Sequence, residues 1–227
     1  MSNVFLLAAS FMRQNRWLAL GLVAWPFVMG ALLWSPRQPA HVSDLAEIVQ
    51  QEVLYGLAII AFLASSAIYN EKRSRRMIGI LSKAVSRGEY LLGFLFGSVG
   101  FGFLYFVAIA VSILWLRTSS ELAQPLLLLL YGTIACLWIS SLALLFAAFL
   151  HPVLAAGAVG ACAVLPSVVA QGRYAGIVPF AALLSQTDPL SVHLGGFTVI
   201  LACLESAVFI AVAAWIFGFR DLATSIE

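Results

Sequence analysis

From Tyr90 to Leu116 the chain runs without a single Asp, Glu, Lys or Arg. A stretch that long and that apolar is read as a membrane-crossing helix, because a helix satisfies its backbone polar groups within the segment where no water can. Five further stretches, at about 17–34, 53–69, 126–150, 153–170 and 197–217, have the same character. Composition agrees: 63% of the 227 residues are hydrophobic and 10% are charged, against about 25% charged in ordinary soluble domains. The expected fold class is an all-α integral membrane protein of six transmembrane helices, forming a single transmembrane domain over 1–227. Six spans and their short loops leave no room for a soluble catalytic domain. Any energy source is then another chain or an ion gradient. The net charge of +2 speaks to topology and offers nucleic acid nothing.

The charges are concentrated. Between Glu71 and Tyr90 lie Lys72, Arg73, Arg75, Arg76, Lys83 and Arg87, six of the twelve basic residues. By the positive-inside rule this loop, 70–89, is cytoplasmic. An even number of spans then places Arg13, Arg16 and Arg220 on the same side and Arg37, Arg117 and Arg173 outside. Both termini are expected in the cytoplasm. Ser86 and Glu89 have the S-x-x-E spacing of a capping box, with Val85 and Tyr90 placed for a hydrophobic staple, so a helix starts at Arg87. Ahead of it, Met77, Ile78, Ile80 and Leu81 recur at helical spacing among basic residues. By the residues alone this is either a short amphipathic helix or a solvated basic loop.

Glu71-Lys72, Ile80-Leu81-Ser82 and Val85-Ser86-Arg87-Gly88-Glu89-Tyr90-Leu91-Leu92-Gly93 together resemble the cytoplasmic loop after the second span of ABC-2 type ABC transporter permeases. Where that family commonly has Gly-Thr-Leu-Glu, this chain has Arg75-Arg76-Met77-Ile78, and Ala84 stands where a proline is frequent. The resemblance implies a coupling helix that docks on a separate P-loop ATPase subunit, with Glu71, Met77, Ile78, Leu81, Ser86, Arg87 and Glu89 as the coupling residues. It implies a second permease subunit as partner, and location in the cytoplasmic (inner) membrane. The function so implied is the transmembrane half of an exporter, and an apolar path suits a hydrophobic or amphipathic cargo. The alternatives are a haem-exporter B-type subunit, a non-ABC membrane scaffold, or an ion-coupled carrier.

Elsewhere the chain adds detail. Residues 1–16 read as an N-terminal interfacial helix with Val4, Phe5, Leu7, Ala8, Phe11 and Met12 as its apolar set, and Pro26 falls inside the first span. Asp44, with Ser43 ahead of it, can open a helix that runs on into the second span, with Glu52 near its mouth. Gly93 and Gly97 permit close approach of another helix, and Ala156 and Gly160 give the fifth span a small-residue face for dimer packing. Residues 177–184 are too short to cross and too apolar for a solvated loop, so an external re-entrant segment is expected.

No catalytic constellation is present, and neither a metal site nor a cofactor is expected: His41, His151 and His193 are scattered over loops, and there is no P-loop. The chain reads as no enzyme. Cys136, Cys162 and Cys203 sit in apolar runs without metal-binding spacing. Glu205 reads as the one ionisable residue well inside a span. It is a candidate for the translocation path by default, or an acid near the outer third that water reaches.

Overall fold

The computed structural model describes residues 2–33, 42–73, 86–116, 123–169 and 196–223. They form helices α1 (Ser2–Gln14), α2 (Arg16–Leu33), α3 (Val42–Arg73), α4 (Arg87–Leu116), α5 (Ala123–Ala147), α6 (Pro152–Val169) and α7 (Gly196–Ala223). The proposed coupling helix with Met77, Ile78 and Leu81, the external turn before α5 and the 177–184 segment lie outside the described residues.

Four helices are long and apolar enough to cross a membrane, through Glu47–Asn70, Arg87–Leu116, Gln124–Ala147 and Gly196–Phe217. The protein is therefore membrane-embedded and helical, with four such helices among the described residues where six crossings were expected from the sequence. The stretches expected at 17–34 and 153–170 are α2 and α6, each of 18 residues. Both end where the described residues end, and among those residues they count as shorter apolar helices. By contrast α3 has 32 residues and starts at Val42, so the helix opening near Asp44 does run unbroken into the second span.

Helices α4 and α5 form the centre. α4 packs on α1, α2, α3, α5 and α7, while α5 packs on α3, α6 and α7 as well. The largest fully buried side chains include Tyr90, Tyr105, Phe101 and Phe106, all on α4. Peripheral helices turn apolar side chains outward instead: Trp17 is 73% exposed, Phe197 75% and Trp215 65%. In water such faces would be a severe liability. Against lipid tails they are the ordinary solvated surface.

The buried hydroxyls fit the same setting. Ser65, Ser98, Ser112, Ser141 and Ser206 each donate to a carbonyl three or four residues back on their own helix, at 2.7–2.9 Å. A serine that bonds within its own turn needs no partner from a neighbouring helix.

Helix α1 belongs to the bundle. It lies along the glycine face of α4: a β-carbon on Gly93 would come within 2.6 Å of Leu7 Cβ, and one on Gly97 within 2.6 Å of the Phe11 ring. The Gly93/Gly97 spacing thus admits the N-terminal helix at close range. Val4, Ala8 and Phe11 are buried there, while Phe5 and Leu6 stay exposed.

Candidate functional site

The described end of the charged segment is a capping box, as the Ser86/Glu89 spacing predicts. The backbone N–H of Ser86 donates to Glu89 Oε2 at 2.9 Å, and the N–H of Glu89 donates to Ser86 Oγ at 3.2 Å. The Tyr90 N–H closes the first turn on the Ser86 carbonyl at 3.0 Å. Two of the four backbone donors that a helix start leaves unsatisfied are thereby engaged. Ser86 is exposed, and Tyr90, four residues on, is fully buried. Arg87 is half-buried in the same turn. Glu71 lies in the last turn of α3.

Beneath this cap an aromatic cluster joins three helices. The Tyr90 ring meets Phe94 edge-on at 4.8 Å and stacks on Phe217 of α7 at 6.1 Å. Phe11 of α1 meets Phe94 and Phe101 edge-on at 5.4 and 5.9 Å. Contacts of this geometry add about 0.5–1.5 kcal/mol each beyond area burial. A displacement of the α4 N-terminus is therefore passed to α1 and α7 together. Phe217 and Phe11 carry no sequence signal for this role, since each is one apolar residue in an apolar run.

Glu205, half-buried on α7, accepts a 2.6 Å hydrogen bond from Trp138 Nε1 of α5. It is not the most buried acid. That is Glu52, 5% exposed and within the span Glu47–Asn70. Read from the sequence as a residue near the mouth of its span, Glu52 lies five residues in from the start of Glu47–Asn70; residues of α2 and α4 line a small cavity with it, and its Oε1 has no hydrogen-bond partner.

Two openings flank α3. On one side, α2 packs on α4 and stands away from α3, leaving a cleft of about 860 Å³ walled by Leu18, Trp25, Tyr55 and Phe62 with Tyr105 of α4 among its lining. The Tyr105 hydroxyl donates to the Glu52 carbonyl at 2.8 Å, fixing α4 to α3 there. On the other side a groove of about 210 Å³ runs between α3 and α6, lined by Leu57, Ala61, Ala156 and Gly160 among others. Ala156 is half-buried, whereas a β-carbon on Gly160 would meet nothing within 4 Å.

Among the described residues no three His, Cys, Asp or Glu side chains group as metal ligands. No family model matches the chain, and no curated protein matches it.

Proposed function

We propose that this chain is the transmembrane permease subunit of an ABC-2 type transporter, an exporter of a hydrophobic or amphipathic cargo driven by a separate P-loop ATPase. The observation that carries this reading is the junction at Ser86–Tyr90. An exposed cap, closed by reciprocal hydrogen bonds, sits directly on a buried aromatic cluster that joins α4 to α1 and α7. A push delivered to the charged segment before Ser86 would enter a rigid helix start and move three helices, where a loose loop would absorb it. The resemblance of residues 71–93 to the family's coupling loop supplies the identity of what pushes.

In this reading both termini and the 70–89 segment face the cytoplasm, following the charge bias of nine basic residues to three. Helices α2 and α6 complete a six-helix domain with the four longer ones. Two copies pair so that the faces of α2, α3 and α6 with their openings line a shared path, Gly160 lying toward the second copy and Glu205 bordering the path from α7. The chain has no nucleotide-binding motif of its own, so ATP hydrolysis belongs to the partner. Whether a neighbouring reading frame encodes a P-loop ATPase is the first check; co-expression with that ATPase, followed by detergent extraction and affinity capture of either partner, tests the reading. A stoichiometric complex supports it, and the absence of any retained ATPase under conditions that preserve the folded chain contradicts it.

A further inference from the structure

Glu52 is the only buried Asp, Glu, Lys or Arg among the described residues. Its Oε1 is buried without a partner, and the residue lines a cavity of about 20 Å³ with Pro26, Met29 and Gly30 of α2 and Ser112 and Ile113 of α4. That is room for one water-sized group. None of the residues lining it carries a positive charge, and the Ser112 hydroxyl is already committed to the Ile109 carbonyl at 2.8 Å. A carboxyl in an apolar layer is costly unless something pairs with it. Among the described residues nothing does.

The cavity and the 860 Å³ cleft lie along the same two helices, α2 and α3, with no lining residue in common. On α3, Glu52, Tyr55 and Ile59 follow at i, i+3 and i+7, hence on one face; Glu52 lines the cavity, and Tyr55 and Ile59 line the cleft. On α2, Pro26 lines the cavity and Trp25 the cleft. Tyr105 belongs to the cleft and holds the Glu52 carbonyl. An elongated apolar body lying between α2 and α3 would therefore bring a small end group to the Glu52 carboxyl. The aromatic rings along the way favour a cation further.

We infer that the α2–α3 cleft, with Glu52 at one end, binds a lipophilic primary ammonium, its tail between Trp25, Tyr55 and Phe62 and its head group on the carboxylate. The pair is neutral overall, as the apolar walls require. As a site this stands on the cleft and the carboxyl; as a statement about cargo it rests on the permease reading.

The test uses the full chain in phosphatidylcholine nanodiscs with no ATPase present. Radiolabelled dodecylammonium, dodecanol and dodecanoate are compared, with binding to protein-free nanodiscs subtracted. The expected result is saturable dodecylammonium binding at least tenfold tighter than dodecanol, with dodecanoate weakest. Glu52→Gln should bring dodecylammonium down to the dodecanol level, and Ala58→Phe, which narrows the cleft, should weaken both. Equal affinity for the ammonium and the alcohol in the unaltered chain overturns the inference without any variant, as does wild-type ammonium affinity in Glu52→Gln. Because no ATPase takes part, either result leaves the permease reading to its own test.

Discussion

The indole N–H of Trp138 donates to Oε2 of Glu205 at 2.6 Å, and this contact ties α5 to α7 inside the apolar layer. Phe209, one turn on from Glu205, meets the Trp138 ring edge-on at 6.0 Å. α7 has 22% of its spanning window buried, and it is held by packing on α5 and α4, including the Phe217–Tyr90 stack. Replacing Trp138 with Phe keeps the ring but leaves a half-buried carboxylate without its donor, which costs about 1–3 kcal/mol. Thermal unfolding in detergent should show Trp138→Phe clearly less stable than the unaltered chain and Glu205→Gln close to it, since the glutamine carbonyl still accepts. Equal stability of Trp138→Phe and the unaltered chain would make the bond incidental.

Gly97 marks where the N-terminal helix seats. With the Phe11 ring 2.6 Å from where a β-carbon would stand, Gly97→Leu cannot be accommodated without moving α1 off α4. Overpacking of this kind costs about 1–3 kcal/mol. The variant should expose the Asn15 region to added protease while α3 and α5 remain protected. Gly21→Ala, at a glycine with nothing within 4 Å, should change neither stability nor cleavage.

These cases show what the sequence made legible. The capping box at Ser86 and Glu89 is a local motif with fixed spacing, and it forms as its letters predict. The continuous α3 was visible for the same reason, as an unbroken helical pattern from Asp44. The burial of Glu52 was not visible: it comes with Pro26, Met29 and Gly30 on another helix, and an apolar run does not say which of its faces meets a neighbour. Gly93 and Gly97 announced a close approach but not that α1 would be the partner.

Pairing of two copies can be read from Gly160. On a background with Cys136, Cys162 and Cys203 replaced, Gly160→Cys should form cross-linked dimers in the membrane under mild oxidation. Phe103→Cys, exposed on α4, serves as the comparison and should remain monomeric. Cross-linking at Phe103 alone would move the interface to α4.

The claim at the centre of this account is that the charged segment ahead of Ser86 receives work from an ATPase and passes it into α4. The direct measurement is ATP hydrolysis by the reconstituted partner ATPase, alone and with the chain, for the unaltered chain, for Ser86→Ala, and for Ile78→Asp combined with Leu81→Asp. Losing the Ser86 cap costs about 1 kcal/mol of local helix stability, so Ser86→Ala should retain part of the stimulation. The paired Asp variant should insert and dimerise normally yet give none. Full stimulation of the ATPase by the Asp pair, with both proteins folded, would contradict the account.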